Sequence, residues 1–362
     1  MIAVLSVASI FNPVRTFSET ENRELQQMPE FSLKSLFAGE FTRDYETFIT
    51  DQFVARDEWI ALKTQTELLL GKKDTGGVYF CDDGYLIEKT EVDDERIAAN
   101  VEYVKKFTET LSDRFNIRTL IAPTASLIHA DKLPAYASIW DQAGLLDRLS
   151  AELDGFVDCR DVLSAHADEY IFYRTDHHWT TRGAYYAYTK LAESLGIEAI
   201  TEDKLNITTL SEEFYGTLLA KVNVQTSPDV LEKYESTSQP TVSLDINLGL
   251  ASADSLYVEE KLTVRDKYAY FLGGNDGLVD ITTSVKNGRT LLILKDSYVN
   301  CMLPLLVNHY ERIVLIDLRS FNMGVVSYLD SQYANIPDGS DVLLFYNASS
   351  FADNRQLVML NK

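Results

Sequence analysis

From about residue 93 to the C-terminus, short apolar runs alternate with segments whose apolar positions recur every three to four residues. Arg118 to Pro123, Gly155 to Asp158, Leu291 to Leu294, Ile313 to Ile316 and Val342 to Phe345 read as strands. Asp94 to Asp113 reads as a helix, with Ile97, Val101, Val104, Phe107 and Leu111 on one face. Residues 139 to 153, Thr181 to Leu195 and Tyr298 to Tyr310 read the same way, the second closed by Gly196. Strands with no polar alternation are buried on both faces. The pattern predicts an α/β fold with a parallel sheet flanked by helices.

Two regions break this rhythm. Residues 12 to 39 are polar and turn-rich and read as an extended arm. Two helices follow: one carries Phe41, Tyr45, Phe48, Ile49 and Phe53, the other starts after Arg56-Asp57 and ends at Gly71. Val78-Tyr79-Phe80 and Tyr85-Leu86-Ile87 flank an Asp-Gly turn and predict a hairpin. Between about 201 and 288, short β-rich runs predict an insertion of antiparallel hairpins or long loops. The expected division is residues 1–17, an N-terminal helical arm with its hairpin over 18–92, and the α/β domain over 93–362.

Composition narrows the function. The net charge is -22, from 55 acids against 33 bases. This argues against nucleic acid or an anionic membrane surface as partner, since both need clustered Lys and Arg. Cys81, Cys159 and Cys301 are far apart, with neither disulfide nor metal spacing. Ile2 to Phe11 is apolar but only about half the ~20 residues of a membrane span. It reads either as a buried strand or as the remnant of an anchor.

The chemistry concentrates in Asp176-His177-His178-Trp179. A carboxylate two residues before an imidazole can hold its Nδ1–H, leaving Nε2 free to take a proton. On an extended segment Asp176 and His178 share a side and His177 points the other way. His178 is therefore the candidate base, with His177 structural or substrate-lining. Trp179 either packs against the base or offers a sugar platform. Ser297 stands at the end of an apolar strand and the start of a helix, where nucleophiles of α/β proteins project into the crevice. Asn275, in Gly273-Gly274-Asn275-Asp276, is a candidate second oxyanion donor; Tyr298 and Arg174 are candidate substrate contacts. The competing readings are a histidine pair satisfied at a helix N-terminus, a serine that merely caps a helix, and a metal phosphoesterase site through Asp176 and His177. His129, His166 and His309 form no further metal-ligand pattern, and no cofactor or metal is expected.

Asp176-His177-His178-Trp179 is identified as the name-giving motif of the bacterial DHHW protein family, which resembles SGNH-hydrolase-like proteins that include the alginate O-acetyltransferases. The resemblance extends to Ser18 to Leu25, to Asp51 to Asp57 and to Gly77-Val78-Tyr79. It implies an SGNH-hydrolase-like sheet and a triad of Asp176, His178 and Ser297. It also implies a cell-surface carbohydrate O-acyltransferase or esterase, acting outside the cytoplasm on a polysaccharide or other acylated glycan. A membrane-bound acyl-donor protein would be its partner, and a truncated membrane anchor would lie over residues 1–17. Two departures stand out: the Gly-Asp-Ser block of the esterases reads Lys295-Asp296-Ser297, and the histidine segment precedes the serine segment. A non-catalytic glycan-binding or cell-envelope protein on the same scaffold is the alternative these departures keep open.

Overall fold

The computed structural model describes residues 5, 8, 9, 11–18, 20, 21 and 23–362. Most of the expected anchor remnant, Ile2 to Phe11, therefore lies outside the described residues. Among the described residues no helix is long and apolar enough to cross a membrane.

Seven strands form the central sheet: β1 (Asn116–Ala122), β2 (Val242–Ile246), β3 (Ala251–Ala253), β4 (Leu278–Thr283), β5 (Thr290–Lys295), β6 (Arg312–Ile316) and β7 (Asp341–Asn347). Their order across the sheet is β3-β2-β4-β6-β5-β7-β1. β6, β5, β7 and β1 run parallel. β4 pairs antiparallel with β6, as do β2 with β4 and β3 with β2. The expected parallel sheet is thus a mixed one. The reason lies in the 201–288 region: its strands pair antiparallel, as expected, but three of them, β3, β2 and β4, extend the edge left open by β6. A second pair from that region, Leu205–Phe214 with Asp229–Ser236, forms its own antiparallel ribbon.

Alternation along the parallel strands builds two cores. Leu291, Ile293, Leu343 and Phe345 face the layer that holds Trp179 and the helix Thr181–Leu195. Leu292, Leu294, Val342 and Leu344 face the helix Asp94–Leu111, through Val101, Val104 and Phe107. All eight strand residues are fully buried, which explains the unbroken apolar runs.

Two expected elements differ. Gly155 to Asp158 makes only a single bridge to β1, at Thr119 and Phe156. Gly155 adopts a left-handed backbone, and the chain soon leaves for the short helix Arg160–Ser164. In place of a helix over Tyr298 to Tyr310 there is a 3-10 turn, Ser297–Met302, and then one helical turn, Leu303–Leu306. Pro304 lacks an N–H and cannot extend a helix begun before it. The N-terminal helices span Glu40–Asp51 and Arg56–Leu69, and the hairpin strands Val78–Phe80 and Leu86–Glu88 pair antiparallel.

Candidate active site

The histidine segment is pinned before its side chains are considered. Asp229, fully buried at the start of the ribbon strand, accepts from the Arg174 N–H at 2.8 Å and from the Thr175 N–H and hydroxyl at 2.7 and 2.6 Å. The Tyr170 hydroxyl donates to it as well. On the other side Thr180 caps the helix Thr181–Leu195, accepting from the Gly183 N–H. Gly183 has no room for a side chain, since a Cβ would lie 2.3 Å from the Ile171 carbonyl oxygen. Gly216 is equally confined: a Cβ there would lie 2.2 Å from Cβ of Asp176.

Between these anchors Asp176 folds back on its own chain. Its Oδ1 accepts from the His178 N–H at 2.9 Å and from His178 Nδ1 at 2.6 Å. Its Oδ2 accepts from the Thr217 N–H at 2.8 Å and from the Thr217 hydroxyl at 3.0 Å. That hydroxyl has one proton, so it accepts from His177 Nδ1 at 2.7 Å. His177 Nδ1 also lies 3.5 Å from Asp176 Oδ1, and the two imidazole centroids are 3.9 Å apart. The expectation that His177 points the opposite way is therefore corrected: the segment is a series of bends, and the side alternation of a strand does not apply.

Ser297 arrives from the far side. Asp296 is the cap of the 3-10 turn, its Oδ1 accepting from the Tyr298 N–H at 2.9 Å. Its Oδ2 accepts from the backbone and side-chain N–H groups of Asn347 at 2.7 and 2.8 Å, tying the ends of β5 and β7 together. Ser297 is then the first residue of the turn, where a backbone N–H has no helical acceptor. Its Oγ lies 2.8 Å from His178 Nε2. A hydroxyl, an imidazole and a carboxylate thus stand in one hydrogen-bonded line, although Ser297 and His178 are 119 residues apart.

The electrostatics suit proton transfer. Burial pushes the His178 imidazole down to about 4, with the neighbouring charge of His177 adding to the effect against Asp176. The imidazole of this candidate base is therefore neutral near pH 7. Burial alone would raise the Asp176 carboxyl, but His177, His178 and the donors from His178 and Thr217 hold it well below the usual carboxylate range.

The family model for the DHHW protein matches residues 76–316. This chain belongs to the DHHW protein family. Among solved structures it is similar to a DHHW family protein from Eubacterium siraeum, with a TM-score of 0.66 and 25% identity over 80% of this chain and 96% of that one. It shares its fold with PatB1 of Bacillus cereus, with a TM-score of 0.64, 18% identity and coverage of 77% and 97%. The O-acetyltransferase domain of AlgJ from Pseudomonas putida gives a TM-score of 0.50, 14% identity and coverage of 79% and 99%. No curated protein matches the chain.

The remaining candidates fall in different places. Trp179 is completely buried, donates Nε1–H to the Tyr298 carbonyl at 3.0 Å and packs edge-on to Phe345. It is the buried end of the motif and has no face to offer a sugar. Tyr298 is also fully buried, its hydroxyl donating to the His177 carbonyl. The Arg174 guanidinium lies over the rings of Tyr170 and Tyr85 at 4.8 and 5.4 Å. Asn275 Oδ1 accepts from Lys295 Nζ at 3.0 Å, and Lys295 reaches Asn300 at 2.8 Å. Burial lowers that lysine to about 8. Lys295, at the end of β5, thus points its ammonium at two amides.

His177, a third exposed, lines a cleft of about 600 Å³ together with Thr217, Asp296, Arg319, Asn347 and Ser349. Asp176, His177 and His178 also bring ligand atoms within 4.8 Å of one another. The hydrogen bonds already described occupy both oxygens of Asp176, both nitrogens of His178 and Nδ1 of His177, so a cation would have to break them. Sequence reasoning missed Thr217, Asp229, Arg319 and Tyr268. None sits in a recognisable motif, and each reaches the site only through the folding of a distant segment.

Proposed function

We propose that this DHHW protein is an acyl-transfer enzyme of the carbohydrate O-acyltransferase or esterase kind. Ser297 acts as nucleophile, His178 as base and Asp176 as the group that orients the imidazole. The observation that carries the reading is the unbroken line Asp176–His178–Ser297, at 2.6 and 2.8 Å, at the end of a buried parallel strand. The Ser297 oxygen attacks the acyl carbonyl carbon while His178 Nε2 takes its proton. The resulting oxyanion is met by the Ser297 N–H, and its collapse expels the donor's leaving group, which His178 protonates. An acceptor hydroxyl, deprotonated in turn by His178, then attacks the acyl-serine, and His178 passes that proton to the Ser297 oxygen as the acyl–serine bond breaks. The polar cleft beside His177 offers hydroxyl and amide side chains to an acceptor rich in hydroxyls. The named activity of the AlgJ domain supports the transferase branch, and PatB1 has also been solved with a sulfonyl adduct. A site outside the cytoplasm, an acylated cell-surface glycan and a membrane-bound acyl-donor protein belong to the same proposal.

The test is turnover of p-nitrophenyl acetate. Wild type turns it over, and Ser297→Ala or His178→Ala lowers kcat by several orders of magnitude. A sulfonyl fluoride labels wild type at Ser297 and leaves Ser297→Ala unmodified. Turnover that survives Ser297→Ala, or that EDTA abolishes and a divalent metal restores, rules the reading out. Glycan binding without any turnover assigns the chain to the non-catalytic alternative.

A further inference from the structure

Tyr268 comes from the β-rich region, and nothing in the sequence gives it a role. It sits on the short turn Lys267–Tyr270 and is buried. Its ring lies face to face with the imidazole of His178, with centroids 3.7 Å apart and planes 14° from parallel. The rings of His177 and Tyr298 also touch His178, but lean at 39° and 41°. The Tyr268 hydroxyl donates to the carbonyl oxygen of Ser297 at 3.1 Å. Tyr173 and Phe271 meet the ring edge-on or at a steep angle, with centroids 6.4 and 5.6 Å away, and hold it in place.

Two hydrogen bonds hold the two nitrogens of His178 within the plane of the ring but resist displacement perpendicular to that plane only weakly. A face stacked against the ring stops that motion. The carbonyl of Ser297 belongs to the peptide that leads into Tyr298, so the hydroxyl fixes the backbone on which the nucleophile stands. When His178 takes the serine proton it becomes a cation against an aromatic face, an attraction absent while it is neutral. The interaction is therefore stronger in the transition state than before it, which is the condition for accelerating the step.

We propose that Tyr268 is a positioning residue that clamps base and nucleophile together, the ring acting on His178 and the hydroxyl on the Ser297 peptide. The proposal rests on the acyl-transfer reading for its effect on rate, but the clamp has a signature of its own. In the full chain, ester turnover and the low-field proton resonance of His178 Nδ1–H are measured for wild type, Tyr268→Phe and Tyr268→Leu. Tyr268→Phe keeps the stacked ring; it retains kcat within about fivefold, as expected for one lost neutral hydrogen bond, and keeps a sharp resonance. Tyr268→Leu loses on the order of 10- to 100-fold in kcat, the cost of a loosened catalytic geometry, with KM within about threefold, and its resonance broadens by exchange. Should Tyr268→Leu fail to fold, Tyr268→Met supplies a flexible side chain of similar volume without a stacked face. A folded unstacked variant with wild-type kcat and a sharp resonance overturns the proposal, as does a loss confined to KM. If wild type shows no ester turnover, the acyl-transfer reading falls, and the resonance alone still decides whether Tyr268 immobilises the imidazole.

Discussion

The imidazole of His178 is where the charge balance of the site is decided. Burial and the neighbouring His177 disfavour its protonated form, Asp176 favours it, and the first two prevail. A base must be neutral to accept a proton, so activity is present above its lowered value and lost as the pH falls through it. The kcat/KM for ester turnover should stay level from pH 7 down past 6.5 and decline only toward pH 4. A limb at the ordinary histidine value of about 6.5 would show that the buried environment does not act on the working base. Asp176, His178 and Ser297 could be singled out in the sequence because the roles proposed for them rest on intrinsic chemistry and, for the first two, on their nearness in the chain. His177 was misjudged because the side rule used for it assumes a strand, and the segment bends. Tyr268 and Thr217 were not legible, because an aromatic ring and a hydroxyl gain meaning here only from what they touch.

At the scale of elements, the ends of β5 and β7 are joined by one carboxylate. Asp296 caps the turn that carries Ser297 and accepts two donors from Asn347, all of them buried. Asp296→Ala removes a cap worth about 1 kcal/mol and leaves buried donors without acceptors, at about 1–3 kcal/mol. Chemical denaturation should show a loss of about 2–4 kcal/mol. Asp296→Asn, which keeps one acceptor oxygen and can still cap the turn, should lose less; equal losses would show that one retained oxygen stabilises nothing and that both acceptors are needed together. The strand and helix pattern after residue 93 was largely readable, since apolar runs and helical stripes are local properties. The antiparallel attachment of β4, β2 and β3 was not. Edge pairing depends on which strand is left uncovered, and no local pattern encodes that.

For the molecule as a whole, buried histidines set an acid limit on the fold. His129 is buried against Tyr85 and Phe172, with neither ring nitrogen hydrogen-bonded among the described residues. Burial lowers it to about 4, as it does His178 and His309. The unfolded chain binds these protons near the ordinary value of about 6.5 and the folded chain does not, so stability is full above that value and falls as the pH drops toward 4. Each group contributes at most about 3 kcal/mol over that window. His129→Phe keeps the aromatic contacts and removes one of the three. The urea midpoint of this variant should depend less on pH between 6.5 and 4.5 than that of wild type; an unchanged slope would show that His129 is not the group being titrated.

By itself the sequence determined the α/β class, most of the apolar strands, the helix Thr181–Leu195 with its closing Gly196, and the three residue types that an acyl-transfer site requires. Each of these depends on neighbours within one or two turns of chain. Only the tertiary structure decided that a serine 119 positions away meets the imidazole, that Asp229 and Thr217 fasten the acid, and that a tyrosine from the β-rich region lies against the base. Contacts of that kind are made by the packing of separate segments, and packing responds to shape and burial across the whole chain.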